Sequence, residues 1–172
     1  MKNKIEILLF VRMNGILNAL LYQHGYICQA NIERRDLLQG VYRPTICCPI
    51  EKEDLGFSTK LSIMSRELGL ESRTSPEVLS VVQSFVPINH SLKHRFVAEI
   101  PLELAKKIRP PFSSGGFRPI SQTMLSEVRE VPAHSHIPPN PNFIPVLAGE
   151  DRVRFLQAGF ETLLYAPTAT EC

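Results

Sequence analysis

Ten of the chain's 14 prolines fall between Pro87 and Pro145, and no other feature limits the fold so strongly. A proline inside a helix removes a hydrogen bond and clashes with the preceding turn, at a cost of about 3 kcal/mol. This stretch therefore excludes long helices and favours short strands joined by turns. Phe117-Arg118-Pro119-Ile120, Met124 to Val131, Phe143 to Leu147, Val153 to Leu156 and Thr162 to Tyr165 read as such strands, spaced at roughly 8–12 residues, the rhythm of a β-sandwich or barrel.

The first part of the chain reads differently. Ile5 to Val11 is an apolar run that fits a buried strand or a helix start. Gly15 to Tyr22 carries Ile16, Leu17, Leu20 and Leu21 at helical spacing. Asn31 to Leu38 fits a short helix, and Thr59 to Leu70 fits strand or helix. Ser75-Pro76-Glu77 is a helix-start signature, with Val78, Leu79, Val82 and Phe85 following on one face. Phe96 to Ile100 reads as a strand, and Pro101 to Ile108 as one short helix closed by Pro110-Pro111. The expectation is an α+β single domain over 1–172, with a partly helical, mixed portion at 1–110 and a β-rich portion at 111–172.

Charge narrows the function. Nineteen Lys and Arg against 17 Asp and Glu give a net charge of +2, spread evenly over the two halves, so no concentrated basic field points to nucleic acid. The apolar run after Met1-Lys2-Asn3-Lys4 contains Glu6 and ends at Arg12. It is too short for a signal peptide or for the about 20 residues of a membrane helix. The four cysteines show no CxxC spacing, and Cys47 and Cys48 are adjacent, which suits reduced thiols and a cytoplasmic location. Ser113-Ser114-Gly115-Gly116 reads as a turn.

Four of the five histidines form two close pairs. His90 and His94 would share one face of a helix, and His134 and His136 one face of a strand, so either pair has chelating geometry. Lys93 and Arg95 beside the first pair disfavour a cation there. The second pair has different surroundings. Val131-Pro132-Ala133-His134-Ser135-His136 leads into Phe143-Ile144-Pro145-Val146-Leu147-Ala148-Gly149-Glu150, and Ala158 to Pro167 follows.

This arrangement resembles the first motif of the cupin family. The resemblance implies a β jelly roll whose His134 and His136 bind a divalent metal such as Fe, Mn or Zn, with Gly149 in the inter-strand turn. A third ligand would come from His90, His94, Glu127 or Glu130. Even spacing on a strand places Glu130 on the same face as His134 and His136, so Glu130 is the better candidate for a ligand or catalytic base. The implied function is a metal-binding cupin-like protein acting on a small polar molecule by oxygenase, isomerase or hydrolase chemistry. The competing expectation is a non-catalytic small-ligand-binding or interaction domain without a metal site. An open strand edge in a shortened jelly roll would be covered by the N-terminal portion or in a homodimer.

Overall fold

The computed structural model describes residues 3–23, 41–50, 56–70, 75–88, 94–108, 117–131, 146–148 and 151–165. Its centre is N-terminal. Strand β1 (Asn3–Met13) turns back into β2 (Ile16–Gln23) through Asn14 and Gly15, whose φ values of 53° and 79° are the paired left-handed conformations of a tight hairpin. The Asn-Gly dipeptide thus converts the helix expected over Gly15 to Tyr22 into a strand. Alternation does the rest, since Leu17, Ala19 and Leu21 lie in one core cluster and Leu20 in the other.

The remaining strands are β3 (Val41–Arg43), β4 (Ile46–Ile50), β5 (Val86–Pro87), β6 (His94–Ile100), β7 (Phe117–Ser121), β8 (Arg129–Val131) and β9 (Val146–Ala148). All nine join one mixed sheet along the path β5-β6-β1-β2-β3-β9-β8, with β4 also on β1 and β7 on β2. β6 runs parallel to β1 over Ile5–Val11, while β4 pairs antiparallel with the first part of β1. Where β1 leaves β2 for β4, Thr45 fills the gap. Its hydroxyl accepts from the Leu9 N–H at 3.0 Å and donates to the Leu20 carbonyl, so neither backbone group is left orphaned in the core.

Helices cover both faces. On one lie α1 (Phe57–Leu68), α2 (Pro76–Gln83) and the short α3 (Leu102–Ala105). They bury Ile63, Met64, Leu68, Val78, Val81, Val82 and Leu104 against Ile5, Ile7, Leu9 and Val11 of β1. α1 ends as its sequence dictates, with Gly69 at φ 63° and its N–H bonded to the Ser65 carbonyl. On the other face α4 (Arg152–Tyr165) packs Phe155, Leu156 and Phe160 onto Leu8, Phe10 and Val97.

α4 overturns the strands expected at Val153 to Leu156 and Thr162 to Tyr165. Phe155, Leu156, Phe160, Leu163 and Leu164 form a helical stripe, and both short runs were fragments of it. Gly159 accordingly sits inside a helix, where a Cβ would come within 2.6 Å of the Phe10 ring. Met124 to Val131 is a 3₁₀ turn over Gln122–Glu127 followed by β8. The α+β class holds, with a mixed sheet between helices. The β-rich cupin-like C-terminal half does not, because the described residues of 117–165 supply three short strands and then the longest described helix. Asn31 to Leu38, Ser113 to Gly116 and Gly149 lie outside the described residues.

Candidate functional site

Of the residues that sequence reasoning singled out, Glu130 is on β8 and exposed. Its carboxylate accepts from the Asp151 N–H at 2.8 Å and the Val153 N–H at 3.0 Å. These are donors at the start of α4 that have no partner within the helix, and a carboxylate also suits the positive end of the helix dipole. Glu127 is exposed on the 3₁₀ turn, and His94 opens β6 opposite Ile5. His90, His134 and His136 lie outside the described residues.

The structure assembles two charged groupings that were not anticipated. The first is buried beneath α4. Glu6 and Arg95 are register partners on β1 and β6, and side-chain alternation turns both toward α4. Arg95 Nε donates to Glu6 Oε1 at 3.1 Å and Arg152 donates to Glu6 Oε2 at 3.1 Å. Glu6, Arg95 and Arg152 are 0%, 1% and 8% exposed. Arg95 also donates to the Asp151 carbonyl at 3.3 Å and lies over the Phe155 ring at 4.9 Å, while Arg152 contacts Cys47 Sγ at 3.3 Å. Two cations on one carboxylate would be costly underground without these further partners. The arrangement ties the start of α4 to the middle of the sheet.

The second grouping lies at the rim of the α1 face. Tyr22 is the register partner of Arg43 across β2 and β3, and of Phe117 across β2 and β7. Cross-strand neighbours project to the same side, so the three form a row. The Arg43 guanidinium lies 4.2 Å from the Tyr22 ring centroid, and Tyr22 meets Phe117 edge-on at 5.7 Å. Arg43 donates to the Cys47 carbonyl at 2.8 Å, and Arg66 of α1 contacts the Cys48 sulfur at 3.7 Å. The two arginines thus touch consecutive residues of β4 from β3 and from α1. Arg66 also meets Glu67 at 3.4 Å, with its own side chain 62% exposed. Burial, reinforced by Glu67 and opposed by Arg66, pushes the Cys48 thiol above its ordinary value of 9.0, so it adds no negative charge at neutral pH. Among the described residues the local balance is positive, which suits an anion.

No three of His, Cys, Asp and Glu converge in metal-binding geometry among the described residues. The described carboxylates that face a cation are Glu6 with Arg95 and Arg152, Glu67 with Arg66, Glu99 with Arg12 and Glu103 with Lys106. None of the described helices is long and apolar enough to cross a membrane.

No family model matches the sequence, and no curated protein sequence does. Solved structures do resemble it. A mutT/nudix family protein from Listeria innocua matches with a TM-score of 0.53 and 12% identity, over 95% of this chain and 94% of that one. The NUDIX domain of Shewanella oneidensis NrtR complexed with ADP ribose matches at TM-score 0.44 and 11% identity, over 95% and 88%. A C. elegans Ap4A hydrolase matches at 0.40 and 7%, over 70% and 80%. The Listeria structure shows the fold: this chain is a Nudix-like sheet between helices. That corrects the cupin resemblance, the β-sandwich and the oxygenase or isomerase function drawn from them. Helical residues 152–165 are incompatible with jelly-roll strands at those positions.

Sequence reasoning gave none of Arg43, Arg66, Glu6, Arg95 and Arg152 a place in a site. A signal existed for Glu6, a lone charge inside Ile5 to Val11, since a charge in a buried strand needs a partner. Its partners are 89 and 146 residues away, and no local pattern indicates them.

Proposed function

We propose that the protein acts on a small phosphoanhydride of nucleotide type, held on the α1 side of the sheet. The observation that carries this is the Nudix-like fold extending over nearly the whole of both chains, since Nudix hydrolases cleave compounds of this class. The positive rim beside α1 supports it by offering charge of the sign such a substrate requires.

Nudix hydrolases draw on divalent cations, and a generic divalent ion is the part of the metal expectation that this reading keeps, in place of iron or zinc at His134 and His136. The described residues do not by themselves present the donors for such an ion, and no catalytic step is assigned to one. What the chain's own residues supply is binding. Arg43 and Arg66 offer guanidinium donors, and the aromatic row fixes one of them in place.

ADP ribose and Ap4A are suitable probes. Incubation of the full chain with each, with and without magnesium, should give binding by calorimetry and release of a nucleoside monophosphate by chromatography. Neither binding nor product with either compound would refute the proposal.

A further inference from the structure

We propose that Arg43 and Arg66 form a direct phosphate-binding pair at the rim of the α1 face, so that ligand capture needs no metal ion. This rests on the proposed function for the nature of the ligand, but not for the existence of the pair. Each guanidinium has five N–H donors in a planar fork that matches phosphate oxygens two at a time. Arg43 uses one nitrogen on the Cys47 carbonyl, and Arg66 directs Nε to Glu67 and one terminal nitrogen to Cys48. Donors remain on both.

Arg43 is also held in place. Its guanidinium lies over the Tyr22 ring, 4.2 Å from the centroid, and is anchored at 2.8 Å to the backbone of β4, so little side-chain entropy is left to lose when an anion binds. The two contacts fall on adjacent residues of β4, the Cys47 carbonyl and the Cys48 sulfur, which brings both guanidiniums to the same part of that strand. Both side chains reach solvent: Arg43 is half-buried and Arg66 is exposed. Among the described residues, one carboxylate, Glu67, and the neutral Cys48 thiol are what the two guanidiniums meet there. Two guanidiniums against that one described carboxylate favour an anion over a cation. The partly exposed Phe117 ring at the end of the row offers an apolar surface beside the phosphate, as a nucleotide requires and inorganic phosphate does not.

The test uses the full chain in a chelating buffer, titrated by calorimetry first with inorganic pyrophosphate and then with ADP ribose. Pyrophosphate should bind without metal, and ADP ribose more tightly, with magnesium changing its affinity by less than about twofold. Arg66→Gln, on an exposed position that tolerates change, should weaken both ligands by about tenfold or more, equivalent to about 1.4 kcal/mol. Arg43→Lys should do the same, because it keeps the charge but loses the fork and the stack. Glu67→Gln should change affinity by less than about twofold.

Pyrophosphate binding that requires a divalent cation, or that survives Arg66→Gln unchanged, overturns the pair. So does no pyrophosphate binding at all. If pyrophosphate binds through Arg66 but ADP ribose and Ap4A do not bind, the pair stands and the nucleotide reading falls.

Discussion

The two faces of the sheet share β1 and β6 yet treat charge in opposite ways. Toward α4, the even-numbered side chains of β1 include Glu6, and three charged residues, Glu6, Arg95 and Arg152, are taken into the interior. Toward α1, the odd-numbered side chains Ile5, Ile7, Leu9 and Val11 build an apolar core, and the cations Lys60, Arg43 and Arg66 stay at its margin, over rings or beside sulfur. The difference teaches what each set of charges is for. Interior charge with a fixed partner selects one docking of α4 and is unavailable to a ligand. Rim charge over an aromatic row is oriented without being neutralised, so it can receive one.

The largest effect should come from breaking the buried side. In Glu6→Ala, Arg95 and Arg152 lose their shared carboxylate while remaining enclosed, and an uncompensated buried charge costs about 3–5 kcal/mol. The urea midpoint should fall sharply or the chain should fail to fold. Arg66→Gln, at the rim, should change the unfolding free energy from the same titration by no more than about 0.5 kcal/mol, the usual range of surface changes. Equal losses in the two variants would show that the contrast between the faces is false.

A second break concerns the packing of α4 itself. Alanine is normally about 1 kcal/mol better than glycine inside a helix. At Gly159, however, the added methyl would stand 2.6 and 2.8 Å from two atoms of the Phe10 ring and 3.1 Å from Val97. Phe10 is fully buried and meets Phe160 edge-on at 5.0 Å, so its ring has nowhere to swing. Overpacking of about 1–3 kcal/mol should outweigh the propensity gain. Gly159→Ala should therefore lower the melting temperature; a rise would mean that α4 lies farther from the sheet.

These variants also show how much the sequence disclosed. Ser75-Pro76, Gly69 and Pro101 mark helix ends through local chemistry, and they lie where the structure starts or stops α2, α1 and α3. Asn14-Gly15 carries an equally informative hairpin signal that the sequence reading did not use, and the apolar spacing of Ile16 to Leu21 alone led to a helix where β2 stands. At α4 the error had another cause: Pro-rich sequence just upstream suggested strands throughout, and a 14-residue helix was divided into two. The rim site was not legible, because Arg43, Tyr22, Phe117 and Arg66 meet only through strand register and the crossing of α1 over β4. Glu130, expected from the sequence to be a ligand or base, is in the structure the acceptor that holds the start of α4.

The smallest effect sharpens the comparison from the apolar side. Cys48 is buried on the α1 face, and its thiol is pushed above the ordinary 9.0 chiefly by burial and next by Glu67. The protonated thiol is therefore favoured by folding. In the unfolded chain Cys48 loses its proton near the ordinary value, while the folded chain still holds it, so ∂ΔG/∂pH is negative in that window. The stability tied to this group is complete below pH 9.0 and is lost as pH climbs through the higher folded value. Urea midpoints of the wild type and Cys48→Ala, compared at neutral and at alkaline pH, isolate this effect, since tyrosines and lysines titrate alike in both. The wild type's advantage should shrink as pH rises past 9.0, by at most about 1.4 kcal/mol for each unit by which the folded value is raised. An advantage that grows with pH would mean a stabilised thiolate at Cys48. The α1 face would then hold a charge in its core, as the α4 face does.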